Sequence, residues 1–321
     1  MKTDSITLNA YAKINLSLEV IRRRKDGYHD ILSFMQDLGL SDRVTVGASE
    51  EKLQLEIQKC CAMDCFIDDI KVKFCMDNNT IPMGPENLGY KGAAAVLRAL
   101  DPGMNRPESI CIIIEKHLPV AAGIAGGSGN AAACMLAVDA LCGYPLSLEQ
   151  LLSIGASVGA DVPFSLAMNA RKNSHILKGL PGIEASRSSA WIGGIGEIVK
   201  PADPIPCSVI LMNPGIPVST REVYEAIDAL GDHEVNDALF FNRMEEYTLQ
   251  RYPEAAELKR EMDAHLRAEH IVMSGSGPTM VAYYKDSATA LEDSARASVA
   301  DWMRDGWRIW CTESGGTVNG Y

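Results

Sequence analysis

No apolar run in the chain reaches the roughly 20 residues needed to cross a bilayer, so no membrane span, and no membrane partner, is expected. The first stretch, "MKTDSITLNAYAKINL", carries Asp4 and has no apolar h-region, so it does not read as a signal peptide. Basic residues are in the minority. Thirty Lys and Arg stand against 42 Asp and Glu, and a net charge of −12 argues against nucleic-acid binding over a broad surface. An anionic small ligand must then find a local positive pocket, because the global field repels it. Zinc-type spacing is also missing. The nine cysteines are scattered, with Cys60 and Cys61 adjacent. Cys60, Cys61, Cys65 and Cys75 match no standard ligand pattern and have no histidine near them. Reduced thiols in a cytoplasmic protein are expected rather than a disulfide framework. There are no internal repeats. With 47% hydrophobic and 22% charged residues, 321 residues suit two packed domains rather than one.

What is present reads as mixed strands and helices. "SITLNAYAKINLSLEVIRRRKDGYHDILSFMQDLGLSDRVTVGAS" alternates as strands, with turns at Asp26-Gly27 and Ser41-Asp42. "ENLGYKGAAAVLRAL" has helical periodicity. "SICIIIEKHLP" is a β-branched strand that stops at Pro119. Helices are expected over residues 147–159, in "STREVYEAIDAL", in "EAAELKREMDAHLRAE" and in "SATALEDSARASVADWM". Strands are expected in "PCSVILMNPG", on both sides of the glycine turn in "IVMSGSGPTMVAYY", and in "WRIWCTES". Because the strands cluster early, the fold class is α+β in two halves. Helix signals vanish between about residues 170 and 205, which divides the chain into 1–170 and 171–321.

The chemistry centres on "LPVAAGIAGGSGNAAACMLAVDALCG". Gly123, Gly126, Gly127 and Gly129 precede a helix expected to begin near Ser128 or Asn130 and to end at Gly143. Glycine lets backbone N–H groups turn toward one point, and a helix N-terminus adds unpaired N–H groups and a positive dipole end. Together they make a phosphate cradle. The bland alternative is a tight packing loop of small residues. No Lys-Ser or Lys-Thr pair follows the glycines, so this is not a Walker A loop. Gly127, Gly129 and Ala132 fit G-x-G-x-x-A, but no strand runs directly into them. Glu149 has the spacing of a ribose-binding acid yet opens a helix, so a nicotinamide site is the weaker reading. A cradle without its own lysine borrows cation from Lys13, from the run Arg22 to Lys25, or from Mg²⁺. "GADVPF" supplies Asp161 as a group to deprotonate a hydroxyl. Taken singly, Asp161 reads as a turn cap, Lys13 as a surface residue and the basic run as a solvated turn.

Three segments in order resemble the three motifs of the GHMP superfamily of small-molecule kinases: "AYAKINLSLEV", "LPVAAGIAGGSGNAAA" and "MSGSGPTMVAYY". Within it, "RRRKDGYHDI" and "GADVPF" resemble the 4-diphosphocytidyl-2-C-methyl-D-erythritol kinase family, and the likeness covers nearly the whole chain. The resemblance implies an N-terminal ribosomal-protein-S5-like domain and a C-terminal ferredoxin-like domain. It implies ATP-dependent phosphorylation of the 2-hydroxyl of a cytidine-diphosphate-linked methylerythritol, in the non-mevalonate isoprenoid pathway. Mevalonate-type or homoserine-type kinases and a non-catalytic nucleotide-binding relative are the alternatives. The cofactors implied are ATP and Mg²⁺, with no protein metal ligand assigned; monomer and homodimer both remain open.

The same resemblance assigns residues. Lys13 and Asp161 match the catalytic pair. Asn87, Leu88, Pro119, Gly123, Gly126, Gly127, Ser128, Gly129 and Asn130 match the ATP site. Asn15, Tyr28, His29, Thr220, Tyr224, Gly275, Ser276 and Gly277 match the acceptor site, with the cytosine between Tyr28 and Tyr224 and its edge on His29. Taken singly, Tyr28 and Tyr224 also fit packing, and His29 a bond to a nearby carbonyl. Two departures stand out. Related loops carry two adjacent serines where this chain has Ser128-Gly129. The chain also interposes "RKNSHILKGLPGIEASRSS", residues 171–189, before Gly194-Ile195-Gly196-Glu197, and this reads as a mobile surface insertion rather than a lid. Residues 50–77 also run longer than in relatives, with no functional account.

Overall fold

Two long strands, β1 (Ser5–Arg23) and β2 (His29–Gly47), open the computed structural model, which describes residues 4–78, 80–101, 106–120, 122–231 and 233–315. They pair with each other across a turn in which Gly27 takes φ +90°. The turn expected at Ser41-Asp42 does not form; β2 runs through it. Asp42 is fully buried and accepts 2.8 Å hydrogen bonds from the His117 and Leu118 amides. It also pairs with the Lys116 ammonium. A buried aspartate survives mid-strand because every charge on it is answered.

The chain forms two compact units. The first comprises Met1–Ala12, Leu40–Val120 and Ala125–Ser188; the second comprises Lys13–Gly39, Ala121–Ile124 and Ser189–Tyr321. These bounds interleave and so differ from one cut at residue 170/171. At 19 residues each, β1 and β2 are long enough to serve both units.

The first unit adds α1 (Gln54–Ile57), β3 (Cys61–Ile67), β4 (Ile70–Met76), α2 (Leu88–Ala99), β5 (Ser109–Glu115), α3 (Gly126–Leu141), α4 (Leu148–Ala156) and α5 (Val162–Lys172). Residues 43–47 of β2 run antiparallel to β5, which lies parallel to β4, which pairs with β3. β5 is apolar on both faces because both are covered. Ile112 and Ile114 join the main core with α2 to α5, while Cys111 and Ile113 meet Cys75 and Leu53 on the other face. α3 is buried almost all round from Gly129 to Ala140. Its alanines permit close approach: a Cβ on Gly92 of α2 would stand 2.7 Å from the Ala131 carbonyl oxygen. Ser147 and Gln150 form a capping box that starts α4. The helix α5 has no counterpart in the sequence reading. Pro163 sits in its first turn, where the missing N–H costs nothing.

Residues 171–189 correct an expectation. They are no mobile surface insertion. Leu177 and Leu180 are buried in the core of the first unit. Asn173 bonds both backbone groups of Asn9, at 3.1 and 3.0 Å, and the Pro181 carbonyl accepts from the Leu148 amide at 2.8 Å. Leu177, Leu180 and Ile183 follow one another at three-residue steps, but Gly179, Pro181 and Gly182 between them hide the pattern.

The second unit adds β6 (Ser189–Gly194), β7 (Ile198–Pro201), β8 (Cys207–Asn213), α6 (Thr220–Leu230), β9 (Phe241–Asn242), α7 (Glu245–Arg251), α8 (Pro253–His265), β10 (His270–Met273), β11 (Met280–Tyr284), α9 (Ser287–Ala297) and β12 (Arg308–Ser314). Four strands lie in the order β10, β11, β8, β12, each antiparallel to its neighbour. α8 and α9 pack against them. β6 pairs with residues 31–36 of β2 and with β7, and β9 pairs with β1 at Ser17 and Leu18.

Candidate active site

The glycine loop leaves β5 past a fixed point, the Asp42 carboxylate that holds Lys116, His117 and Leu118. Pro119 follows, half-buried. α3 begins at Gly126, two residues before the expected start. Its N-cap, Ala125, is left-handed at φ +54° and gives no side-chain cap. The N-cap side chain therefore gives the first N–H groups of α3 no acceptor. A Cβ on Gly126 would find nothing nearer than 3.6 Å, and one on Gly127 would meet only the Leu88 methyl at 3.1 Å. The backbone is bare here, as an anion site at a helix head requires. Beside a Leu118 methyl, Lys116 Nζ also lies 3.6 Å from the Gly126 Cβ position, a cation the sequence reading did not name. Its signal was a lysine just before Leu118-Pro119.

The other two glycines have a packing role. Gly129 faces β1, where a Cβ would lie 2.7 Å from the Tyr11 carbonyl oxygen. Gly123, in the second unit, holds φ +71°, and a Cβ on it would lie 2.2 Å from the Ser274 carbonyl oxygen. Ser274 Oγ donates to the Gly123 carbonyl at 3.0 Å. Asn130 is buried, and its Oδ1 has no hydrogen-bond partner among the described residues. Ser128 is half-buried. Asn87 caps α2: its Oδ1 accepts from the Gly89 amide and its Nδ2 donates to the Pro82 carbonyl, both at 2.8 Å. Leu88, next to it, borders Gly127.

In the second unit Lys13 is buried at 3% exposure, against its reading as a surface residue. Its Nζ donates to Asn15 Oδ1 at 2.7 Å, Asn15 Nδ2 donates to Ser33 Oγ at 2.7 Å, and Ser33 Oγ donates to the Ser17 carbonyl at 2.6 Å. Tyr283 holds the Asn15 carbonyl at 3.2 Å. This chain of bonds orients an ammonium that burial alone would penalise. In the first unit Asp161 is half-buried at the head of α5. Its backbone is already helical, and its side chain makes no cap bond, so it is not the turn cap that sequence chemistry favours.

The residues expected to form an acceptor site fall in the second unit. Tyr28 is 61% exposed, which removes its reading as strand packing. His29 stacks on Tyr224 with ring centroids 4.4 Å apart and planes 19° from parallel. Its Nε2 lies 2.8 Å from Asp228 Oδ1, a residue absent from the sequence reading. One face of Tyr224 is thus occupied by His29. Thr220 and Ser276 share a 2.8 Å hydroxyl bond. The turn of Gly275 (φ +58°), Ser276 and Gly277 (φ +89°) is held by Asn242 Nδ2, which donates to the Met273 and Gly275 carbonyls. Arg22, Arg23 and Arg24 pair with Asp30, Asp228 and Asp26, so the basic run is locally compensated. Behind it, Glu19 is buried. Burial alone would raise its carboxyl, but hydrogen bonds from Arg243 and the Asn236 amide hold it below the ordinary glutamate range. All nine cysteines are unpaired. No cluster of three His, Cys, Asp or Glu side chains suits a metal, and no helix is long and apolar enough to cross a membrane, among the described residues.

Residues 87–168 match the family described as the GHMP kinases N terminal domain. A 4-diphosphocytidyl-2-C-methyl-D-erythritol kinase of Geobacter metallireducens is 33% identical, covering 93% of this chain and 96% of the relative. One from Geobacillus kaustophilus is 34% identical over 86% and 87%. Among solved structures, a 4-(cytidine 5'-diphospho)-2C-methyl-D-erythritol kinase superposes with TM-score 0.66 at 26% identity, covering 97% of this chain and all of that one. A homoserine kinase from Cytophaga hutchinsonii shares the fold alone, at TM-score 0.59 and 14% identity. The glycine-headed helix and the oriented lysine therefore sit in a GHMP kinase fold, and the chain belongs to the 4-diphosphocytidyl-2-C-methyl-D-erythritol kinase family.

Proposed function

We propose that this protein transfers the γ-phosphoryl group of ATP to the 2-hydroxyl of 4-diphosphocytidyl-2-C-methyl-D-erythritol, an isoprenoid precursor of the non-mevalonate pathway. The observation that carries the reading is Lys13, a lysine withdrawn from water and aimed by Asn15. Lysine is almost never buried without a task or a partner.

The triphosphate lies along the bare head of α3, where Gly126, Gly127 and Ser128 present N–H groups and Lys116 stands beside them. Leu88 flanks this point and serves the adenine side. Asp161 takes the proton of the attacking hydroxyl, and Lys13 offsets the charge that develops on the transferring phosphoryl. The oxygen donors at the loop, Ser128 Oγ and the unpartnered Asn130 Oδ1, suit a hard cation. When bound, Mg²⁺ neutralises triphosphate charge, and Gly129 supplies no hydroxyl to it.

The acceptor's cytidine end is remote from its reacting hydroxyl, so its binding energy positions that hydroxyl. Tyr28 offers an exposed ring for the base, His29 its edge contact, and Thr220 with Ser276 the hydroxyl pair near the diphosphate. The four-stranded sheet and the two helices packed on it, β8, α8, β10, β11, α9 and β12, follow a βαββαβ order, which supports naming that part ferredoxin-like. The core that helices α2 to α5 share with the mixed sheet of the first unit is in keeping with an S5-like domain. Unpaired cysteines suit a reducing cytoplasm. Gly129 has a packing reason, so it does not favour a non-catalytic relative.

The test is incubation with ATP, Mg²⁺ and a panel of hydroxyl acceptors. The cytidine-linked methylerythritol should gain one phosphate by mass, while mevalonate and homoserine should not. Phosphorylation of either of those instead would overturn the assignment.

A further inference from the structure

His29 is gripped on two sides by a single helix. Tyr224 and Asp228 stand four residues apart on α6 and so share a face. Tyr224 lies against the imidazole plane, 4.4 Å between centroids, and Asp228 Oδ1 stands 2.8 Å from Nε2. Arg23 lies 3.4 Å from the other Asp228 oxygen and keeps the carboxylate turned toward the ring. A carboxylate only accepts, so the hydrogen of this bond sits on Nε2. In the neutral ring that leaves Nδ1 as a bare acceptor.

We infer that Asp228 is a positioning residue that fixes His29 in its Nε2–H tautomer, so that Nδ1 accepts from the exocyclic amino group of cytosine and rejects uracil. The inference rests on the proposal that His29 meets the base edge. Cytosine carries an N–H donor where uracil carries a carbonyl oxygen. A bare Nδ1 pairs with the first and turns a lone pair on the second, and an unpaired polar contact of this kind discriminates strongly. A base bonded to Nδ1 extends the imidazole plane. That plane lies 19° from the Tyr224 ring, so the base comes to rest roughly parallel to Tyr224 as well. Tyr224 sets the plane, and Asp228 sets which nitrogen is bare.

The test uses full-length protein, Asp228→Asn, and two acceptors, the cytidine substrate and its uridine counterpart. The asparagine amide matches the carboxylate in shape but donates as well as accepts, so it no longer dictates the tautomer. In the parent protein a long-range ¹⁵N spectrum of His29 should show hydrogen on Nε2 and none on Nδ1. In D228N the tautomers should mix and the KM for the cytidine acceptor should rise about tenfold, with the KM for ATP unchanged. The preference for cytidine over uridine should fall by about the same factor. A bare Nε2 in the parent protein overturns the inference without any variant, as does a D228N enzyme that keeps its tautomer and its preference. His29→Ala separates the two layers. If it leaves the cytidine KM unchanged, the base-edge reading itself fails. If it raises that KM while D228N changes nothing, only the role of Asp228 falls.

Discussion

Gly129 and Tyr11 meet backbone to backbone: a Cβ on the glycine would stand 2.7 Å from the tyrosine carbonyl oxygen. The first turn of α3 therefore presses on β1 with no room for a side chain. The resemblance leads one to expect a second serine here, and in this chain that serine would force the helix head or the strand to shift. Gly129→Ser is expected to destabilise the protein by about 1–3 kcal/mol through overpacking. Urea denaturation measures it, and a variant as stable as the parent would show that α3 moves freely.

Asp161 makes no cap bond to its own helix, so replacing its carboxylate spares α5. Asp161→Asn should lower kcat by about 10²–10⁴-fold, the usual worth of a positioned base, with KM for both substrates little changed. Steady-state kinetics decides it, and a normal kcat removes Asp161 from the proton transfer.

Tyr28 is 61% exposed and supports no core. Tyr28→Ala should leave Tm unchanged and raise KM for the cytidine acceptor about tenfold, the worth of one aromatic stacking contact, without moving the KM for ATP. Parallel changes in both constants would place its role elsewhere.

Leu177 is fully buried with Leu180 in the core of the first unit. Leu177→Ala should cost about 2–5 kcal/mol by cavity formation. Deleting residues 171–189 should prevent folding of that unit, read by loss of the cooperative thermal transition. A deletion variant that melts like the parent would restore the passive-insertion view.

Asp139 on α3 is fully buried. Burial pushes its carboxyl up to about 7, against the bond it accepts from the Leu146 amide at 3.1 Å. A carboxyl raised on folding binds more protons in the native state than in the unfolded one. Stability therefore falls as pH rises from about 4 to about 7 and stays reduced above it. Asp139→Asn removes that loss. Its Tm should exceed the parent's by ~3 °C or more at pH 8, with the gain vanishing near pH 4. Equal curves at pH 8 would mean the charge is accommodated.

The site was partly legible because some of its chemistry is local. The loop glycines, the strand before them and the helix after them are contiguous, and Ser147 and Gln150 announced their capping box within four residues. Lys13, Asp161, Tyr28 and His29 came from motif resemblance. Sequence chemistry alone placed Lys13 on the surface and Asp161 in a turn cap. Lys116 and Asp228 escaped because their meaning lies in partners far along the chain, Asp42 and His29. The turn expected at Ser41-Asp42 failed for the same reason: the Asp42 carboxylate is answered by residues 74 to 76 positions away.

Periodicity, caps and glycine placement are short-range properties, so the chain by itself determined six of its helices, α2, α3, α4, α6, α8 and α9, most of its strands and the glycines at the head of α3. The tertiary structure alone decided which glycines are open and which are packed, that residues 171–189 belong to a core, and which carboxylate faces the imidazole. Each of these is a contact between segments distant in sequence, and no local preference encodes the atom on the other side.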